Sequence, residues 1–360
     1  MESAQGPRVR EGGAELVNFS SNDYLGLSNH PRLRAAAVEA IEAFGVGSGA
    51  SPLVTGHSRL HEEAEDAFSR FVGFPRSLLF GSGYLANLGI LSTLADRNAE
   101  IFADRLNHAC LNDGAILSRA HFVRYPHLDM DALAKRLAES KADVRIVATD
   151  AVFSMDGDMA PLGVLMQLCE QHDAWLVVDD AHGIGVVGAN GRGSLSHAGI
   201  RSPRVIHMAT LGKALGGHGA FVSAEGPVIE WLLQRARTYM YSTALPAMCA
   251  AAAHSAVQLL IEDKSIVARL HARIAEFRAA CAREGVALAE SSTAIQPLIV
   301  GEAERALEAA SRLRASGYLV PAIRPPTVPE GTSRLRISLS AAHEKRDVEA
   351  LAKALARSLA

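Results

Sequence analysis

Few features that mark special classes of protein occur in this 360-residue chain. It has only four cysteines, Cys110, Cys169, Cys249 and Cys281, and no two of them form a CxxC pair. Zinc ribbons and redox dithiols are therefore excluded, and free thiols in a reducing cytoplasm are expected. Neither sign of charge is in large excess. A formal net charge of -3 gives no electrostatic reason to expect nucleic acid or an acidic membrane surface as partner. The N-terminal residues have no apolar core of the kind a signal peptide needs. The most apolar helix candidate, residues 244–261, contains Pro246, His254, Ser255 and Gln258, and reads as a buried or interface helix rather than a membrane span. There is no Walker lysine and no GxSxG elbow. His57 and His61 stand four residues apart, but Ser58 occupies the position of the glutamate in HExxH, so the pair is read as two helix-surface histidines and no metal is expected.

What is present is a long alternation. With 49% hydrophobic and 21% charged residues the composition is that of a globular protein, long enough for more than one folding unit. Helical patterns at 31–44 and 59–71 flank the glycine-rich segment Gly45-Val46-Gly47-Ser48-Gly49. That segment follows a helix rather than a strand, so it is not a dinucleotide fingerprint; its glycines are expected where backbone approaches a ligand or another subunit. Strands at 77–80, 101–103, 144–149, 175–178 and 205–211 then alternate with helices at 85–94, 108–119, 131–140 and 162–172. This order predicts an α/β fold with a mostly parallel sheet covered on both faces. After Gly226 long helices dominate, with strands only at 296–300 and 334–340. The division expected is an N-terminal segment (1–30), a large domain (31–250) and a smaller C-terminal α+β domain (251–360).

Two of the apolar runs stop at ionisable residues. Trp175-Leu176-Val177-Val178 ends at Asp179-Asp180-Ala181-His182-Gly183, and the run from Val205 ends at Thr210-Leu211-Gly212-Lys213. Ligands of open α/β sheets bind beyond the carboxyl ends of parallel strands. A buried carboxylate at one strand end and a lysine past the next are the parts that pyridoxal phosphate (PLP) needs. The amine carries the cofactor aldehyde, and the carboxylate keeps the pyridine nitrogen protonated. Phe80-Gly81-Ser82-Gly83-Tyr84 reads as strand, turn and helix start, where unpaired N–H groups offer a phosphate site, with the Thr210 hydroxyl as a further donor. A displaced lysine amine beside a cation is a suitable base for the weakly acidic α-proton of an amino acid. Spacing alone leaves His108 open as an ordinary helix histidine and Arg336 as a solvated strand residue.

The sequence resembles the α-oxoamine synthases, PLP enzymes of fold type I. The resemblance runs from about Val17 to the C-terminus. It is carried by residues 18–26 (NFSSNDYLG), 152–158 (VFSMDGD), 178–183 (VDDAHG), 210–213 (TLGK), 294–301 (AIQPLIVG), 322–329 (AIRPPTVP) and 334–336 (RLR). The last three point to the member that joins L-alanine to a pimeloyl thioester, of CoA or of an acyl-carrier protein, in biotin synthesis. The alternatives are a member that uses glycine and acetyl-CoA or, outside enzymes, a non-catalytic PLP-fold module. The resemblance implies that Lys213 carries PLP and moves the substrate α-proton, that Asp179 pairs with the pyridine nitrogen and that His108 stacks on the ring. It implies that Ser154 and His182 contact the ring hydroxyl, that Gly83, Tyr84 and Thr210 hold the phosphate, and that Ser242 and Thr243 reach the phosphate of a neighbouring subunit in a homodimer. Arg336 with Asn22 is implied to bind the amino-acid carboxylate, and Thr327 to contact substrate. Three departures stand out. An N-terminal arginine of the family has no clear counterpart, Tyr84 replaces a common Phe, and Asp150 stands where Glu is common.

Overall fold

A computed structural model describes residues 1–359; Ala360, the last residue of the expected C-terminal domain, lies outside them. The chain divides into two units. The larger comprises Pro31–Phe153 and Met159–Ile261, and the smaller comprises Met1–His30, Ser154–Asp158 and the chain from Glu262 onward.

The larger unit is built on a seven-stranded sheet. From edge to edge its strands are Arg76–Phe80, Ala220–Ala224, Val205–Thr210, Ala174–Asp179, Val144–Asp150, Ala99–Asp104 and His121–Tyr125. The five from Val205–Thr210 to His121–Tyr125 are parallel, and Ala220–Ala224 runs antiparallel to both of its neighbours. Side chains alternate between two cores. Ile146, Ala148 and Val177 belong to one, and Val147, Leu176 and Val178 to the other. The sheet is thus buried on both faces, which is why its strands read as continuous apolar runs. Helix Gly83–Leu94 follows the edge strand, with Ser82 accepting the Leu85 N–H at 3.2 Å as its N-cap.

Two strands of this sheet escape the sequence reading. His121–Tyr125 is an edge strand whose exposure alternates only weakly, and Ala220–Ala224 is a five-residue run directly behind a glycine-rich turn. His61 is also not on a helix surface. It is buried at 3% exposure, its Nε2 lies 2.6 Å from the Leu245 carbonyl oxygen and its Nδ1 accepts the Ser58 N–H at 3.1 Å. His57 pairs instead with Glu65 at 3.2 Å. Both ring systems are engaged in holding the helix Arg59–Val72. In the glycine-rich segment Gly45 and Gly49 have φ of +75° and +67°, while a Cβ at Gly45, Gly47 or Gly49 would meet no atom of the chain within 4 Å. There glycine supplies the left-handed turn rather than a close approach within the chain.

The smaller unit has two three-stranded sheets. One orders Ile295–Gly301, Ser333–Ser338 and Ala322–Ile323, all antiparallel. The other pairs the hairpin Arg8–Glu11 and Ala14–Asn18 with the short strand Tyr318–Leu319. This pairing makes the first thirty residues part of the C-terminal unit rather than a separate segment, and the chain passes into that unit at Glu262 rather than at 251. Helices Ser265–Arg283, Ala303–Ala315 and Lys345–Leu359 belong to it as well. Among the described residues no helix is long and apolar enough to cross a membrane, and no cluster of three or more His, Cys, Asp or Glu could hold a metal ion.

Candidate active site

In the larger unit the carboxyl ends of three neighbouring strands converge. Parallel register sets Asp150 directly beside Asp179. Asp179 is 4% exposed, accepts the Ala181 N–H on Oδ1 at 2.9 Å and the Asn87 amide on Oδ2 at 2.7 Å. Burial pushes its pKa up, and Lys213, the Ala181 N–H and Asn87 oppose that rise. Asp150 is raised further still, by burial and by the charge of Asp179. Two adjacent buried carboxyls cannot both ionise cheaply. Of the two, Asp179 has more partners for its charge.

Lys213 lies three residues beyond Val205–Thr210 and is half-buried, with its Nζ 2.7 Å from His182 Nε2. His108 is the N-cap of helix Ala109–Ser118 and is an exposed residue. Its backbone N–H donates to Asp150 Oδ2 at 2.6 Å. The short Asp150 side chain thus reaches the loop directly, which gives the departure from Glu a structural role. Helix Gly83–Leu94 makes its first intrahelical bond only at Ala86 N–H, to the Ser82 carbonyl, so the Gly83 and Tyr84 N–H groups are first-turn donors. A Cβ on Gly83 would lie 3.8 Å from Thr210 Cβ, which puts the turn beside the threonine. The Tyr84 hydroxyl donates to Asp113, leaving the backbone as this residue's contribution to an anion. Ser242 is half-buried and Thr243 exposed, next to an exposed Tyr241, and neither hydroxyl has a hydrogen-bond partner among the described residues.

The smaller unit contains a second cluster. Arg336 lies in mid-strand, 5% exposed. Its Nε donates to the Ser154 carbonyl at 2.5 Å, and its terminal nitrogens donate to Asn22 Oδ1 (both at 3.2 Å), Ser338 Oγ (2.8 Å) and the Tyr24 hydroxyl (3.3 Å). All of these acceptors are neutral. Among the described residues no carboxylate forms an ion pair with Arg336, an unusual state for a buried guanidinium. Ser154 meets it through its backbone. Thr327 sits in an exposed turn, its N–H donating to the Arg324 carbonyl at 3.1 Å, and is not part of this cluster.

A family model described as aminotransferase class I and II matches residues 14–355. The chain is 53% identical to an 8-amino-7-oxononanoate synthase from Methylobacillus flagellatus, over 99% of this chain and 90% of that protein. It belongs to the class I and II aminotransferase family, in the 8-amino-7-oxononanoate synthase branch. Solved structures agree. One of SPT with PLP superposes with a TM-score of 0.96 at 30% identity, covering 99% of this chain and 91% of the other. One of 8-amino-7-oxononanoate synthase from Francisella tularensis gives 0.82 at 31% identity, covering 95% and 97%. The fold is fold type I, and members of this branch are acyltransferases.

Asn87 and Cys110 were not among the candidates read from the sequence. Both are buried against Asp179 or His108. The one signal that marks Asn87 is a lone amide in the apolar helix GYLANLGILSTL, one turn past Gly83. Nothing in the sequence distinguishes Cys110 from an ordinary buried thiol.

Proposed function

We propose that this chain uses PLP to condense L-alanine with a pimeloyl thioester, of CoA or of an acyl-carrier protein. The products are 8-amino-7-oxononanoate, CO₂ and the free thiol carrier, in biotin biosynthesis. The observation that carries the reading is Asp179, a buried carboxylate whose charge is favoured most by Lys213. That pair, with the first-turn N–H groups of Gly83 and Tyr84, fits a cofactor having a basic ring nitrogen at one end, an aldehyde and a phosphate. When bound, PLP supplies an aldehyde that links to amines and a ring that withdraws electron density from the amino-acid α-carbon.

The residues of the chain divide the remaining work. Lys213 Nζ holds the cofactor, then takes the α-proton of alanine and later returns a proton. His182, 2.7 Å away, orients that amine. The Asp179 carboxylate fixes a positive charge at the ring nitrogen, and His108 covers one ring face. Gly83, Tyr84 and Thr210 bind phosphate, and Ser242 and Thr243, whose hydroxyls lack partners among the described residues, complete the phosphate site of a second copy in a homodimer. Arg336 and Asn22 bind the alanine carboxylate: a buried guanidinium satisfied only by neutral oxygens gains most from an anion. Ser154 and His182 serve the ring hydroxyl, and Thr327 contacts substrate. All four cysteines are free, which suits a cytoplasmic enzyme.

The test is product mass after mixing the holoenzyme with L-alanine and pimeloyl-CoA or the carrier-protein ester. Formation of 8-amino-7-oxononanoate, with kcat/KM above that for glycine and acetyl-CoA, is expected. The reverse preference would move the chain to the glycine-using branch of the resemblance.

A further inference from the structure

His108 is tied to Asp179 through two residues that have no assigned role. Asn87 is fully buried, and its amide nitrogen donates to Asp179 Oδ2 at 2.7 Å and to Cys110 Sγ at 3.0 Å. Cys110 is 2% exposed, and its Sγ lies 2.8 Å from His108 Nδ1. The Cys110 backbone N–H also donates to that same Nδ1, at 3.3 Å, as the helix cap.

These contacts allow one arrangement of protons. A backbone N–H can only donate, so His108 Nδ1 must be an acceptor and carries no hydrogen. The imidazole is then neutral with its proton on Nε2. Facing an acceptor nitrogen, the Cys110 sulfur can only donate its S–H, and the two donors share the single in-plane lone pair of Nδ1 as a three-centre bond. The thiol has a second acceptor in reach, Asp179 Oδ2, but at 4.0 Å against 2.8 Å the imidazole takes the hydrogen. Burial and the Asp179 charge push the Cys110 pKa up, which keeps the hydrogen on sulfur. The sulfur lone pairs remain free to accept from Asn87, whose amide direction is dictated by the Asp179 carboxylate.

We propose that Cys110 is a positioning residue: with Asn87 it forms a relay, Asp179–Asn87–Cys110–His108, that locks His108 as the neutral Nε2–H tautomer and fixes its ring plane over the cofactor site. A neutral imidazole matters there. The site must stabilise a cationic ring nitrogen at Asp179, and a second cation stacked on the same ring would oppose it. The inference rests on the PLP reading of this site but not on the identity of the substrates.

The test labels the histidines of the holoenzyme with ¹⁵N and reads the imidazole nitrogens at neutral pH without substrate, the His108 signals being assigned by their loss in His108→Asn. Wild-type protein should show Nδ1 unprotonated and Nε2 protonated. Cys110→Ala should move His108 toward mixed tautomers and lower kcat about 3- to 10-fold with the KM for L-alanine changed less than about twofold, as loss of one hydrogen bond of ordinary strength would. Cys110→Ser, which keeps a donor, should restore the wild-type signature. A protonated Nδ1 in the wild-type protein overturns the relay whatever the variants do. So does an unchanged His108 signature in Cys110→Ala. Because the labelled-histidine measurement is made without substrate, a wrong substrate assignment would not move that reading.

Discussion

The larger unit and the smaller unit each contribute a buried charged cluster, and the two are assembled in different ways. In the larger unit Asp179 and Asp150 end adjacent strands, Lys213 follows a third, and His108 caps the helix that follows Ala99–Asp104. Position along a strand and position in the site are the same thing there. In the smaller unit Arg336 comes from the middle of a strand, and its partners Ser154 and Asn22 are 182 and 314 residues away in sequence. The strand itself makes the point. Arg334 and Arg336 are both buried, at 4% and 5% exposure. Arg334 has its anion within the unit, in an ion pair with Asp156, whereas Arg336 is surrounded by neutral oxygens. A buried charge with its own counter-ion is structure; one that has only neutral partners is the candidate for an anion site, as proposed above.

The comparison can be broken at four places. The largest effect is expected at Lys213. Lys213→Ala removes the attachment point and the base, and loss of the base alone should cost ~10²–10⁴-fold in kcat; steady-state rates with excess PLP measure it, and a rate within tenfold of wild type would remove Lys213 from the chemistry. Next is Arg336→Ala, which should raise the KM for L-alanine by roughly 30-fold to several thousand-fold, corresponding to ~2–5 kcal/mol for a lost buried charge partner, with much less effect on the thioester. Arg334→Ala should do the opposite. It should lower unfolding stability by ~1–3 kcal/mol through its broken pairings and leave the alanine KM within about twofold. Denaturant titration and alanine saturation curves on the two variants decide whether the distinction is real.

The smallest effect concerns pH. His343 is buried against Phe19, its Nδ1 accepting the Ser340 N–H at 3.0 Å and its Nε2 2.9 Å from the Asn18 carbonyl oxygen. Burial lowers its pKa from 6.5 to about 4. The folded form is therefore neutral where the unfolded chain is already protonated. The resulting stability is present above about pH 6.5 and is lost as pH falls from there toward the folded value, by roughly 1 kcal/mol at about pH 5.5. Denaturant melts of the wild type and of His343→Gln between those limits should differ in slope, and parallel pH profiles would assign the loss to other groups.

Much of the larger unit was legible because local rules govern it. Strands buried on both faces give unbroken apolar runs, and the residue that ends such a run is at the ligand end of the sheet. Asp179, Lys213 and the Gly83 turn could be found that way. Ala220–Ala224 could not, because five small and apolar residues behind a glycine turn carry no length signal. The place of the first thirty residues was hidden for a different reason: Ala14–Asn18 pairs with Tyr318–Leu319, three hundred residues on, and no local pattern announces a partner so distant. Arg336 was reached only through the resemblance, since nothing in RLR says which arginine keeps an anion of its own. Asn87 and Cys110 became visible only when distances fixed the direction of each hydrogen bond.

Borohydride reduction of the holoenzyme, followed by peptide mapping, tests the central claim most directly. The account predicts that the reduced cofactor is fixed on Lys213, in the peptide containing Thr210-Leu211-Gly212-Lys213. Label on any other lysine, or no fixed label from a protein that retains activity, would contradict it.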